Sequence, residues 1–120
     1  MADKRILLVE DERAIHELLT HALRSEGYLV DVATTLAEAW QELDARPYAL
    51  VIADWRLPDG DGTMIADAAA QLGARTCVMS GYLFRMPGGR SDLHETLMKP
   101  LKPSEIVAIV ERSIGKAGAA

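Results

Sequence analysis

The chain has 120 residues, of which 49% are hydrophobic and 26% are charged, and its formal net charge is −5. This length predicts one domain, and the acidic balance argues against non-specific binding to nucleic acid or to an anionic membrane. The single cysteine, Cys77, excludes a disulfide framework and a thiolate metal cluster. Because no apolar run reaches membrane-spanning length and no signal peptide is visible, we expect a soluble, cytoplasmic protein.

The first part of the chain alternates apolar runs with helical patterns. Residues 6–9 are all apolar and predict a buried strand. The helical pattern that follows ends at Gly27, a residue that suits the C-terminus of a helix, and residues 29–33 predict a second strand.

A second helix is predicted from a capping box. Thr35 and Glu38 have the spacing at which each side chain satisfies the backbone amide of the other residue. The helix behind them places Trp40 on its apolar face, and it ends before Pro47 because proline disfavours a helical residue before it.

The rest of the chain continues the alternation. Residues 49–53 predict a third strand, and a helix follows over about residues 63–72. Two more strands are predicted over residues 75–79 and 93–98, and Pro103 opens the last helix. Repeated strand–helix units imply a parallel sheet with helices on both faces.

We therefore predict an α/β fold, a doubly wound, flavodoxin-like, five-stranded parallel sheet in the order 2-1-3-4-5, which right-handed crossovers favour. Between strands four and five, residues 86–91 include a proline and two glycines, which oppose a regular helix. The fourth helix of such a fold is thus predicted to be shortened or missing. We expect one domain over residues 1–116 and a disordered tail over residues 117–120.

Charged and polar side chains stand at the carboxyl ends of four predicted strands. In chain order they are Glu10, Asp11, Asp54, Ser80 and Lys99. These strand ends lie along one edge of a parallel sheet, with strands one and three adjacent at the switch point. Carboxylates gathered there repel one another unless a cation such as Mg²⁺ is present. A carboxylate nucleophile, Mg²⁺ and a cationic side chain together indicate phosphoryl transfer, with Asp54 as the attacking group.

With these residues, the sequence resembles the receiver domain of two-component response regulators over essentially its whole length. The resemblance also rests on Pro58 and the pair Asp61-Gly62 in the turn after the third strand, and on Pro100 after the lysine. Each motif alone is weak, and their order along the chain makes the set specific. The type that it resembles is stand-alone and single-domain, like a chemotaxis regulator.

The resemblance implies that a histidine kinase phosphorylates Asp54 and that Mg²⁺ is the cofactor. The metal ligands would be Glu10, Asp11, Asp54 and the backbone carbonyl of Arg56. Lys99 and Ser80 would hold the phosphoryl oxygens, and Pro100 would follow a cis peptide bond. Arg56 would also flank the path of the water that hydrolyses the phosphoryl group.

The chain departs from the family pattern at two places. The aromatic residue that the family carries three positions before the lysine is here Thr96, so we do not carry over the aromatic switch. The altered segment between Ser80 and Lys99 predicts unusual output or dimer contacts. Residues 82–84 are expected to form a partly exposed patch for a partner.

Several functions compete for such a site. The favoured one is a phosphoacceptor signalling module that catalyses only its own phosphorylation and dephosphorylation, and that signals by protein contact or phosphorelay. A phosphorylation-independent pseudo-receiver is the alternative, against which the intact acids and Lys99 argue. A hydrolase would place a second acid where Arg56 stands, and a nucleotide binder would have a glycine-rich loop after strand one.

The expected partners follow from the favoured function. They are a histidine kinase and a histidine phosphotransfer or output protein, without nucleic acid or membrane. We expect the chain to be a monomer or a weak homodimer.

Overall fold

The protein is described by a computed structural model over residues 4–81 and 94–118. The helices and strands of these residues are, in chain order, β1 (Arg5–Val9), α1 (Arg13–Ser25), β2 (Leu29–Ala33), α2 (Leu36–Ala45), β3 (Leu50–Asp54), β4 (Arg56–Leu57), β5 (Gly60–Asp61), α3 (Thr63–Gln71), β6 (Arg75–Ser80), β7 (Glu95–Met98) and α4 (Pro103–Ile114). The hairpin formed by β4 and β5 was not predicted, because its proline, glycine and aspartate residues are typical of a turn.

The main sheet has five parallel strands in the order β2-β1-β3-β6-β7. Counted along this sheet alone, the order is 2-1-3-4-5, so the predicted doubly wound topology is confirmed. Val9 of β1 lies opposite Ala53 of β3, so the residues that follow these two strands are neighbours. The prediction that the fourth helix is shortened or missing, and the predicted patch at residues 82–84, lie outside the described residues.

The central strands β1 and β3 are buried on both faces because they are apolar at nearly every position. Ile6 and Leu8 of β1 pack in the layer that contains α1 and α4. Leu7 and Val9 pack in the layer that contains α2 and α3. Successive side chains of a strand point to opposite faces of the sheet, so each face packs against its own layer of helices. The carboxyl edge of the sheet lies between these two layers.

Helix α2 differs from the prediction at two points. Trp40 is 39% exposed, because Ala39 lies in the buried stripe and the next residue is rotated about 100° away from it. The capping box is only half formed. Thr35 Oγ1 accepts a hydrogen bond from the Glu38 amide at 3.1 Å, but the Glu38 carboxylate accepts from the amide and hydroxyl of Thr34 instead of from the Thr35 amide.

The two ends of the described chain are joined to each other. The ammonium of Lys4 donates a hydrogen bond to the carbonyl of Lys116 at 2.7 Å, and the Tyr28 hydroxyl donates to the carbonyl of Gly115 at 2.7 Å. Ala117 packs against the first of the two core layers, so the chain stays in contact with the fold up to that residue. Among the described residues, the helices are too short or too polar to cross a bilayer.

A polar network joins β1, β2 and the segment before β3. Asp31 accepts hydrogen bonds from Arg5 at 2.9 Å and from the Tyr48 hydroxyl at 2.8 Å, and Arg46 lies 3.5 Å from it. Burial on its own raises the pKa of Asp31, but Tyr48, Arg5 and Arg46 outweigh it and hold the pKa below its usual value. The network therefore stabilises the folded state most when Asp31 is ionised.

We expect Asp31→Asn to lower the free energy of unfolding at pH 7 by about 1–2 kcal/mol, since it removes a charged hydrogen-bond acceptor. Because the folded-state pKa is lowered, this contribution is present above a pH of about 4 and fades as the pH falls through the folded value. Urea unfolding at pH 7 and near pH 3 measures the effect, with Asp44→Asn on the exposed side of α2 as the control. Equal losses in the two variants, or a loss that stays constant at low pH, would contradict the role of the network.

Candidate functional site

A cavity of about 520 Å³ opens at the carboxyl edge of the sheet. Its lining includes Asp11, Asp54, Arg56, Ser80 and Lys99. These residues end or follow strands β1, β3, β6 and β7, which is why the parallel sheet brings them to one place. The predicted site residues thus converge as the strand ends indicate.

Three carboxylates form the acidic part of this site. One oxygen from each of Glu10, Asp11 and Asp54 lies within 4.8 Å of the other two. The three differ in exposure, since Glu10 is fully buried, Asp54 is 7% exposed and Asp11 is exposed. The acidic cluster therefore extends from the protein interior to solvent, with Asp54 on the wall of the cavity.

Lys99 provides a positive charge next to the acids. Its Nζ lies 2.8 Å from Glu10 Oε1 and 3.1 Å from Asp54 Oδ2. Burial on its own lowers the pKa of Lys99, but the hydrogen bonds and charges of Glu10 and Asp54 outweigh it and hold the pKa above its usual value. Burial raises the pKa of Glu10 to about 7, so Lys99 offsets only part of the effect of burying that carboxyl. The peptide bond between Lys99 and Pro100 is cis, as the resemblance implies.

The acidic cluster fits a hard divalent cation. Glu10 Oε1 is buried, and the ammonium of Lys99 that lies 2.8 Å from it also lies 3.1 Å from Asp54 Oδ2, so two carboxylates share one cation. The other oxygen, Oε2, accepts a hydrogen bond of 3.2 Å from the Glu12 amide. Mg²⁺ prefers carboxylate and carbonyl oxygens, and it would reduce both the repulsion between the acids and the effect of burial on Glu10.

The hairpin formed by β4 and β5 packs closely against Asp54. The amide of Trp55 donates a hydrogen bond to the carbonyl of Met79 at 2.8 Å, and the amide of Gly62 donates to the carbonyl of Trp55 at 2.8 Å. A Cβ atom at Gly62 would lie 1.8 Å from the carbonyl oxygen of Asp54. Glycine is thus required at position 62 by the close approach of the backbone.

Two more of the predicted site residues line the cavity together with Asp54. Ser80 ends β6 and is 2% exposed. Arg56 lies in β4, and its guanidinium carbon is 5.2 Å from the centre of the Trp55 ring, which is the geometry of a cation–π contact. This contact holds a cationic side chain at the lining of the cavity.

Sequence reasoning missed three contacts at this edge. They are the pairing of Lys99 with Glu10, the stacking of Arg56 on Trp55, and the hydrogen bonds that Asp59 accepts from the start of α2. The stacking had a local signal, since a cationic residue directly follows an aromatic one. The other two join residues far apart in the chain, and no local pattern indicates them.

A doubly wound, five-stranded parallel sheet with an acidic cluster and a lysine at its carboxyl edge places the protein among α/β proteins of the flavodoxin-like fold. Within that class, residues 6–111 match the family described as response regulator receiver domain. The match covers most of the chain, and the protein belongs to this family.

Individual proteins agree with that assignment. The chain is 31% identical over 83 residues to the photosynthetic apparatus regulatory protein RegA of Cereibacter sphaeroides, covering 68% of this chain and 45% of RegA, so it spans less than half of that relative. The receiver protein CpdR of Brucella abortus is 28% identical over 116 residues, which are 92% of this chain and 97% of CpdR. The response regulator TrrA of Thermotoga maritima, solved in complex with Mg²⁺-BeF, is 30% identical with a TM-score of 0.81, covering 91% of this chain and 97% of TrrA.

We expect Gly62→Ala to lower the free energy of unfolding by about 3 kcal/mol, because the new Cβ would force the hairpin away from the Asp54 carbonyl. The matched control is Gly81→Ala at the end of β6, where a Cβ would meet nothing within 4 Å. This control should change stability by no more than about 0.5 kcal/mol. Thermal or urea unfolding of both variants measures the difference, and a Gly62→Ala protein as stable as the Gly81→Ala control would contradict the close approach.

Proposed function

We propose that this receiver domain accepts a phosphoryl group on Asp54 from a phosphohistidine of a histidine kinase, in a reaction that depends on Mg²⁺. The observation that carries the proposal is the position of the Asp54 carboxylate. It stands on the cavity wall, 3.1 Å from the ammonium of Lys99 and beside the acids Glu10 and Asp11. Carboxylate nucleophiles are a known route to covalent phosphoryl intermediates.

The transfer makes one bond and breaks another. An oxygen of Asp54 attacks phosphorus, a P–O bond forms, and the P–N bond of the phosphohistidine breaks. The ring nitrogen keeps the electron pair of that bond and takes up a proton from water. Lys99 and the hydroxyl of Ser80 would bind the oxygens of the transferred group.

The metal ligands proposed for this site are Glu10, Asp11, Asp54 and the backbone carbonyl of Arg56. A bound Mg²⁺ supplies positive charge that neutralises the phosphoryl oxygens during transfer. The donor set supports this assignment, because the three carboxylates lie close together and the fully buried Glu10 shares the ammonium of Lys99 with Asp54.

The phosphorylated domain would signal through its changed charge. Phosphorylation adds about −1.5 to −2 charge at pH 7, which Lys99, Ser80 and the metal must balance. The proposed partners are a histidine kinase and a histidine phosphotransfer or output protein that contacts the altered surface. The domain limits at residue 116, the cytoplasmic location and the monomer or weak dimer remain predictions.

The phosphoacceptor is tested by intact mass after incubation with acetyl phosphate and Mg²⁺. We expect the mass of one phosphoryl group on the wild-type protein, none on Asp54→Asn, and none when a chelator removes the metal. Asp44→Asn, which changes an exposed carboxylate on α2, should still gain the group. Phosphorylation of the Asp54→Asn variant would show that the acceptor lies elsewhere.

Arg56 is expected to prolong the life of the phosphoryl group, because its side chain is stacked on Trp55 at the lining of the cavity and would hinder the approach of water to Asp54. Arg56→Ala should therefore lose the added mass faster than the wild-type protein once the phosphodonor is removed. Arg75→Ala, an exposed arginine at the opposite end of β6, is the control and should decay at the wild-type rate. An unchanged lifetime in Arg56→Ala would exclude this role.

A further inference from the structure

Asp59, at the tip of the hairpin formed by β4 and β5, binds the start of a helix far from it in the chain. Its Oδ1 accepts a hydrogen bond from the Leu36 amide at 2.7 Å, and its Oδ2 accepts one from the Ala37 amide at 3.1 Å. Amides in the first turn of a helix have no partner inside that helix. The bond from Leu36 is the main reason that the pKa of Asp59 lies below its usual value.

Helix α2 is thus capped from two parts of the chain. Thr35, directly before the helix, accepts a hydrogen bond from the Glu38 amide, and Asp59 serves the amides of Leu36 and Ala37. Thr35 belongs to the helix's own segment, whereas Asp59 belongs to the loop that follows Asp54. The contact of Asp59 therefore fixes the hairpin tip as much as it fixes the helix.

The hairpin is restrained at its base and at its tip. At the base, the backbone of Gly62 lies against the Asp54 carbonyl, as described above. At the tip, Gly60 has a φ of 148°, and a Cβ there would lie 2.8 Å from Leu36 Cδ1. The buried side chain of Leu57 packs in the same layer as Leu36. These contacts leave the tip dependent on α2 for its position.

We propose that Asp59 is a positioning residue for the metal site, because its anchor on α2 holds the hairpin that carries the backbone carbonyl of Arg56. Arg56 pairs with Asp61 across this hairpin, and it lines the cavity next to Asp54. A metal ligand that comes from a short loop must be held in place by contacts of the loop with the rest of the fold. This inference rests on the proposed function, since it assumes that the Arg56 carbonyl binds Mg²⁺.

The positioning role predicts coupling in both directions. If the anchored hairpin favours metal binding, then metal binding must favour the anchored hairpin, because coupling between two sites is reciprocal. The amides of Leu36 and Ala37 should then exchange with solvent more slowly when Mg²⁺ is bound. A cap that serves only the helix predicts no such change.

The test compares Asp59→Ala with Thr35→Ala, which removes a cap from the same end of α2 without changing the hairpin. In NMR titrations with MgCl₂, we expect the Kd of Asp59→Ala to be about tenfold higher than that of the wild-type protein, the lower end of the range for residues that orient metal ligands. Thr35→Ala should change the Kd by less than about twofold, since the side-chain hydrogen bond that it removes is to the Glu38 amide of α2 itself. Asp59→Asn keeps one oxygen acceptor and should recover most of the affinity, to within about threefold of wild type.

Amide exchange in the same proteins is the second readout. Mg²⁺ should slow exchange at Leu36 and Ala37 in the wild-type protein and in Thr35→Ala, and it should not do so in Asp59→Ala. An unchanged Kd in Asp59→Ala, or an equal increase in Thr35→Ala at equal stability to urea, would overturn the inference and leave the proposed function standing. If Asp59→Ala does not fold, the wild-type protein decides through amide exchange, and Mg²⁺ that does not slow exchange at Leu36 and Ala37 would overturn the inference. A wild-type protein that binds no Mg²⁺ would overturn the proposed function itself, and the inference with it.

Discussion

The carboxyl edge of the sheet depends on the ion pairs that the ammonium of Lys99 makes with the carboxylates of Glu10 and Asp54. This ammonium joins the ends of β1, β3 and β7, reaching past β6 to do so. Two carboxylates about 4 Å apart repel by about 4 kcal/mol at the effective dielectric typical of a protein surface, and burial increases the effect. Burial raises the pKa of Glu10 to about 7, so this carboxyl group is close to becoming neutral near pH 7. A second cation in the cluster would therefore stabilise the ionised form of Glu10 and reduce the repulsion between the acids.

The rest of the structure holds this pattern of charge in place. The parallel sheet brings the strand ends together, and the cis peptide bond at Pro100 follows the lysine directly. The hairpin after Asp54 closes one side of the cavity, and its tip is fixed to α2 by Asp59. Asp54 is consequently almost fully buried, yet it lines an open cavity.

Local patterns in the sequence are sufficient to predict most of the fold. Apolar runs mark the strands of the main sheet, and the crossover rules convert their alternation with helices into one strand order. The acids and the lysine could be assigned to one site because each follows a strand. Local patterns do not distinguish between two possible hydrogen-bond donors that are adjacent in the chain. At Glu38, the carboxylate binds the amide of Thr34 and not that of Thr35. Local patterns also fail at Asp59, since its residue type fits a turn and its partner amides lie 22 and 23 residues away.

The central claim is that Asp54 itself carries the phosphoryl group, and chemical mapping tests it most directly. Borohydride reduces an aspartyl phosphate to homoserine, so reduction of the phosphorylated protein, followed by proteolysis and peptide mass spectrometry, locates the modified residue. The proposed function predicts conversion at position 54 and at no other aspartate, and only after incubation with the phosphodonor and Mg²⁺. Conversion at Asp11, Asp59 or another acid, with position 54 unchanged, would contradict it.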